Sequence, residues 1–316
     1  MSDASSAKPG VIKRMNPRRR QGYVMFAIIF PFLVLVFLFN YLPLYGWLYA
    51  LFDYRPPFKL FDTPYVGFKW FYNIIETDVK RRQILQVLTN TFVMSGLSIA
   101  TSWLPMLFAI ALNEVIHRKF KRVVQTFTTI PYFISWVLVY SLAFSLFSNT
   151  GMVNILLIKL GVITKPIMFL QMGNTTWLTM WAWNTWKGLG WSAIIYIAAI
   201  ASIDQELYEA AYVDGAKRFR VIWHITIPGL LSTYVVLLLI NIANFLNNGV
   251  EMYYVFQNSF NKEYIQVLDL YVYNFGFSAG GYSGATAVSV LKSIVSVVLL
   301  FTVNRLAKSL RGEPII

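Results

Sequence analysis

The sequence predicts an all-α polytopic membrane protein with six transmembrane helices, and three observations carry that prediction. Of 316 residues, 57% are apolar and 17% aromatic while 13% are charged, against roughly 25% charged in an ordinary soluble domain. Six apolar stretches are long enough to cross about 30 Å of hydrocarbon, which takes roughly 20 helical residues. The cations, finally, concentrate on one side of those stretches, as the positive-inside rule requires.

The first span runs from Tyr23 to Leu44 behind a basic tail, residues 1–22, that holds Lys13-Arg14 and Arg18-Arg19-Arg20. It is too long for a signal-peptide core and has no Ala-x-Ala cleavage pattern, so it is expected to remain as an anchoring helix. Residues 45–88 read as a small folded external segment with an interfacial helix, carrying Asp53, Asp62, Glu76 and Asp78 beside Lys80-Arg81-Arg82. The core then follows over residues 89–304. Its second span is Thr89 to Leu112, its third Val123 to Phe147 and its fourth Thr175 to Ile200. The fifth runs from Gly229 to Val250 and the sixth from Gly284 to Val303, before a cytoplasmic tail at 305–316. Pro31 and Pro105 are expected to kink the first and second spans without breaking them, because packing and water re-satisfy the freed backbone groups.

The net charge is 27 − 14 = +13. With both termini in the cytoplasm, sixteen cations lie inside and nine outside, and Lys187 and Lys292 fall within spans. Lys80-Arg81-Arg82 is the exception, a basic cluster left outside beside the second span. Cations spread over short loops give no basic face with interleaved aromatics, which excludes a nucleic-acid site. With no Cys and two His, thiolate and zinc chemistry are excluded too. His117 and His224 lie in cytoplasmic loops, and no paired intramembrane carboxylates or Ser-His-Asp constellation accompanies them, so no enzymatic role is expected.

The cytoplasmic loop 202–228, SIDQELYEAAYVDGAKRFRVIWHITIP, has helical patterning of its own. Asp204 can cap a helix with Glu206 in its first turn, while Tyr208, Ala211 and Tyr212 share one side. Gly215 then allows a positive φ, so a second helix, Arg218 to Ile225, can leave in another direction before Pro228. Glu209-Ala210-Ala211, three residues, Gly215, nine residues, then Ile225 to Pro228 resembles the EAA signature of permease subunits in binding-protein-dependent ATP-binding-cassette importers. Ile227 stands where that pattern has Leu.

The resemblance, over about residues 20 to 312, implies a type I importer permease fold in a bacterial cell membrane, with this loop as the coupling helix that docks into an ATPase subunit. Glu209, Ala210, Ala211 and Gly215 match the motif, with Asp214, Lys217 and Arg218 as neighbours. It further implies a second homologous permease, forming a heterodimer, a cytoplasmic ATPase dimer that carries ATP and magnesium, and an external solute-binding protein. The chain itself is expected to hold no cofactor, since it has no Gly-x4-Gly-Lys-Ser/Thr phosphate cradle.

For the translocation path, the fourth span supplies Trp183, Asn184, Trp186 and Lys187, and the fifth supplies Asn241, Asn244 and Asn248 at i, i+3 and i+7. Aromatic faces with amide and ammonium donors suit sugar hydroxyls, and a mid-span Lys is a functional-site candidate by default. The alternatives are an internally paired Lys187 amid packing Trp, and Asn side chains that bridge helices. Thr91, Ser95, Ser98 and Ser102 on the second span read as helix packing, and Lys292 presents the same choice as Lys187. Residues Phe275 to Leu310 also resemble the C-terminal helix of oligosaccharide-importing permeases, the branch with alginate and lipoprotein-assisted importers. The competing class is an ATP-independent secondary carrier or channel for a polar solute, against which stand the EAA pattern and the lack of Asp or Glu within spans.

Overall fold

The computed structural model describes residues 17–311, and these are helical almost throughout. The tail up to residue 16 and residues 312–316 lie outside the described residues. The chain forms two compact units, one ending at Leu48 and one beginning at Tyr49. In the first, α1 (Pro17–Val36) passes through Pro31 without ending and continues by a π-helical turn, Phe37–Tyr41, into a 3-10 run that starts at Leu42. Every side chain from Gln21 to Tyr45 is exposed. So long an uncovered apolar helix is compatible with lipid and not with water.

The second unit reaches, after a 3-10 turn at Leu60–Asp62, the helices α2 (Lys69–Asn73) and α3 (Asp78–Ala100), the latter with N-cap Thr77 accepting a hydrogen bond from the Lys80 amide. The second span therefore starts at Asp78 rather than Thr89, inside the stretch expected to be external. It is also interrupted. A turn at Thr101 separates α3 from α4 (Leu104–Asn113), and Pro105 opens the new helix instead of kinking the old one. In a continuous helix its ring would clash with the Thr101 carbonyl four residues back.

The expected third span, Val123 to Phe147, is likewise broken. Amphipathic α5 (Arg118–Thr129) ends in a 3-10 turn, Ile130–Phe133, built on Pro131, and α6 (Trp136–Phe147) starts afresh with the Ser135 hydroxyl accepting from the Leu138 amide. The membrane-length run here is Trp136–Lys159, comprising α6 and α7 (Met152–Lys159). Next come α8 (Thr176–Ala201) and α9 (Gln205–Val213), bent 70° from each other. The fifth span begins earlier and ends earlier than the sequence suggested. Helix α10 (Arg218–Val221) runs without interruption through a π-helical turn, Ile222–Thr226, into α11 (Ile227–Ala243). Pro228 does not terminate it, because the widened turn before it absorbs the ring and the missing N–H.

After Ala243 the chain leaves the helix, and three short helices, α12 (Glu251–Phe256), α13 (Lys262–Ile265) and α14 (Leu268–Tyr273), precede the long α15 (Tyr282–Arg311). Among the described residues, five helical runs have the length and apolar character to span a membrane, and the bent pair α8 and α9 brings the number to six when taken as one span. Helix α8 organises the unit. Its Met180 packs into one core with Met94, Val139, Phe256 and Leu270, and its Ala193 and Tyr196 into another with Ala109, Ile110 and Leu230. The approach to α5 is so close that a Cβ on Gly190 would lie 2.2 Å from the Thr128 carbonyl oxygen.

Candidate coupling element and the polar sites of the spans

Helix α9 is built as a self-contained projection between two spans. The Asp204 carboxylate accepts from the Glu206 amide at 3.0 Å, satisfying one of the orphan donors at the helix start. At the other end, the Gly215 amide bonds the Tyr212 carbonyl at 3.0 Å and the Ala216 amide bonds the Ala211 carbonyl at 2.9 Å. That pair is a Schellman cap, and it requires the φ of +74° found at Gly215. A Cβ on Gly215 would meet nothing within 4 Å, so glycine is needed for backbone conformation and not for room.

Helix α9 is tied to its neighbours on its inner side. The Tyr208 hydroxyl lies 3.2 Å from the Thr226 hydroxyl, and Gly229 lets the Ile203 side chain approach where a Cβ would be 2.6 Å away. Outward it presents Glu209, Ala210, Asp214 and Gly215, with Ala211 half-buried and Lys217 and Arg218 exposed at the start of α10. Val213 and Phe219 flank them, each 88% exposed. Two bare apolar side chains beside a small-residue helix and mixed charges have the composition of a protein-contact patch. The seven expected coupling residues thus lie on one continuous loop-and-helix surface.

The tryptophans of α8 divide between hydrogen-bonded or stacked positions and positions that line a cavity. Trp177 donates its indole N–H to the Tyr264 carbonyl at 2.9 Å and to Asn90 Oδ1 at 3.2 Å, and Trp181 donates to Thr101 Oγ1 at 2.9 Å. Trp191 stacks on Tyr132 at 4.6 Å and 6°. Lys187, one turn before Trp191, donates to the Tyr132 carbonyl at 2.6 Å, with its ammonium 5.4 Å and 5.2 Å from the Tyr132 and Trp136 ring centroids. The ammonium therefore caps the carbonyl released where Pro131 breaks the third span, the paired state weighed above. Trp183 and Trp186 meet edge to face at 5.5 Å and line an apolar cavity of about 720 Å³ with Leu142, Phe147 and Phe169. Asn184 is exposed.

The asparagines of the fifth span do not form one helical stripe. Asn241 is exposed on α11, Asn244 is the C-cap residue and returns its amide to the Ile240 carbonyl at 3.0 Å, and Asn248 lies beyond the helix. The Asn248 side chain donates to Ser95 Oγ at 2.9 Å, and its backbone N–H and that of Gly249 each donate to Asp269 Oδ2 at 2.9 Å. Asp269 also receives Lys292, and both members of that ion pair have side chains only 15% exposed. Lys292 is thus neutralised by a carboxylate on α14. The hydroxyl stripe of the second span serves packing at three positions, two on α3 and one in the turn after it. Thr91 accepts from the Leu268 amide, Ser95 donates to the Phe245 carbonyl, and Ser102 meets the Tyr234 hydroxyl at 3.2 Å. Ser98 is exposed.

Two groups escaped the sequence reading. Asp269 sits in the segment between the fifth and sixth spans, and the mid-span Lys292 was the signal for it, since a buried ammonium needs a counter-charge. Asn90 is 0% exposed and donates to the carbonyls of Glu263 and Gln266 at 2.8 and 3.1 Å. Its position inside an apolar-length span, beside the hydroxyl stripe that begins at Thr91, was the sequence sign. Among the described residues, no cluster of His, Cys, Asp and Glu could hold a metal ion.

A bundle of broken apolar spans with a capped helix projecting between the fourth and fifth defines a membrane translocation subunit. The chain belongs to the family of binding-protein-dependent transport system inner membrane components, whose model matches residues 101–312. It is 37% identical to protein LplB of Bacillus subtilis over 92% of this chain and 90% of that one. It is 38% identical to the polygalacturonan/rhamnogalacturonan transport system permease protein YteP of Bacillus subtilis, over 99% of this chain and 96% of that one. Among solved structures, a bacterial ABC transporter that imports the acidic polysaccharide alginate has a chain with TM-score 0.82 and 29% identity, covering 93% of this chain and 98% of that one. The alginate transporter in complex with its alginate pentasaccharide-bound periplasmic protein gives 0.83 and 29%, covering 96% and 100%. The expected type I permease fold is borne out.

Proposed function

We propose that this chain is one of two homologous permease subunits of an ATP-driven importer that takes up oligosaccharide or polysaccharide fragments by alternating access. The termini and α9 face the cytoplasm. An ATPase dimer binds ATP and magnesium there, and an external binding protein delivers the sugar on the other side. The observation that carries the proposal is the setting of α9, a rigidly capped helix joined to α8 by three residues, 202–204, and to the fifth span by four, 214–217. With links that short, displacement of α9 must move the ends of both spans. Nucleotide energy shifts a membrane conformation only through an element that binds differently in the two states, and the exposure of the Glu209 to Arg218 surface supports that role for it. The relatives named for polygalacturonan, rhamnogalacturonan and alginate support a polymeric sugar as cargo. Trp183 and Trp186 offer apolar ring faces to it.

Affinity capture of the full chain with its genomic neighbours in mild detergent tests the proposal. Recovery of an ATPase and a second permease is expected, with transport abolished when ATP is withdrawn. Transport that proceeds without ATP, by a chain that captures no ATPase, would reinstate the secondary-carrier class. Orientation is read from single cysteines at Asp214 and Asp62 in this Cys-free chain, which an impermeant thiol reagent should label from opposite sides.

A further inference from the structure

The basic cluster Lys80-Arg81-Arg82 contradicts the charge rule that the rest of the chain obeys, and the coupling element does not account for it. Its surroundings do. At the Thr176 end of α8, about 39 Å of helix away from α9, two clefts open side by side. One, of about 810 Å³, is lined by Trp70, Asn73, Lys80, Tyr271 and Asn274, and the other, of about 720 Å³, by Arg82, Gln86 and Glu263. Both include Gln83, Ser259, Lys262 and Gln266, so the two clefts adjoin along these residues and make a two-part trough.

The chemistry of the trough is that of a carbohydrate site with a positive bias. Amides supply paired donors and acceptors for hydroxyls, and Tyr271, stacked at 5.8 Å on Phe275, supplies a fixed aromatic face. Three cations line it, Lys80, Arg82 and Lys262, against one carboxylate, Glu263. Lys80 is held by Asn73 and by Glu76, the latter at 3.4 Å, whereas neither Arg82 nor Lys262 has a salt-bridge partner among the described residues. Arg81 pairs instead with Asp78. Cations spaced along a concave, amide-rich channel suit a linear ligand that repeats a carboxylate.

We propose that this trough is a transit subsite for carboxylate-bearing oligosaccharides, uronide chains, at the mouth of the path. The inference rests on the importer reading. It also explains why basic residues stand beside a span on the side that the charge rule leaves poor in them. An acidic protein surface is the less suitable occupant, since a protein partner needs a broad exposed patch and the amides here line a concavity.

The test uses the full chain, co-purified with its partner subunits and placed in nanodiscs, with trigalacturonate and its methyl ester as probes. Wild type should bind the acid at least tenfold more tightly than the ester at low salt, and the double variant Arg82→Gln/Lys262→Gln should reduce that ratio to within threefold. Lys262→Arg should keep most of it. Equal binding of acid and ester by wild type, no binding of either, or an unchanged ratio in the double variant overturns the proposal. So does a double variant that weakens binding-protein docking equally whether the docked sugar is charged or neutral. Failure of the importer reading shows separately, as the absence of a co-purifying ATPase.

Discussion

Replacing Gly215 by Ala isolates backbone conformation from every other property of α9. The added Cβ would meet nothing within 4 Å, so no steric clash enters. What enters is the left-handed conformation, φ +74°, which costs a non-glycine L-residue about 1–2 kcal/mol. Relief of that strain requires release of the two cap bonds, Gly215 to Tyr212 and Ala216 to Ala211, and hence fraying of the turn that carries Ala211 and Asp214. If the ATPase grips only the capped helix, the penalty appears in docking. One to two kcal/mol is a factor of about 5–30 in an equilibrium constant. The ATPase should therefore bind nanodisc-embedded Gly215→Ala about 5–30-fold more weakly, measured by surface-immobilised titration, with transport falling in step. Asn enters the left-handed region far more readily than Ala, so Gly215→Asn should lose less than about threefold. Wild-type affinity in the Ala variant, or an Asn variant no better than Ala, would refute the conformational argument.

Further expectations concern the spans. Removing one member of the Lys292–Asp269 pair leaves a charge largely buried, which costs about 3–5 kcal/mol, whereas the double variant Lys292→Met/Asp269→Asn keeps an acceptor for the Asn248 and Gly249 amides. Unfolding titrations in micelles should show the double variant less destabilised than the sum of the singles by about 2 kcal/mol or more, and additivity would sink this account. Lys187→Met removes a charged donor from the Tyr132 carbonyl, a loss of about 1.5–3 kcal/mol. It should lower stability while leaving the ranking of transported sugars unchanged. A changed ranking would return Lys187 to the translocation path.

Legibility in the sequence followed the range of the interactions. The helix signals around α9 are local: Asp204 caps within two residues and Gly215 closes a cap over six, so the loop could be drawn residue by residue. Hydropathy likewise marked six apolar stretches, each of which overlaps a long apolar helical run among the described residues, because burial in lipid depends on composition and not on which neighbour is present. The ends and breaks were another matter. Pro31 and Pro105 are equally apolar-flanked in sequence, yet α1 runs through one and α3 stops before the other, where Trp181 reaches across from α8 to bond Thr101 in the interruption. The same holds at Pro131, where the break persists because Lys187 and Trp191 on α8 satisfy and cover the exposed turn.

The sequence by itself determined that this is a membrane-spanning helical subunit with a capped helical projection between two of its spans, and it located that projection. These properties follow from composition, periodicity and contacts within one turn. Only the tertiary structure decided what the charged and amide side chains between the spans do. It turned Lys187 onto a backbone carbonyl, paired Lys292 with Asp269, removed Asn248 from the fifth helix, and gathered Lys80, Arg82 and Lys262 along one trough. The physical reason is that a buried polar group must be satisfied by some partner, and which partner depends on chain segments that lie 23 to 55 residues away for the two lysines.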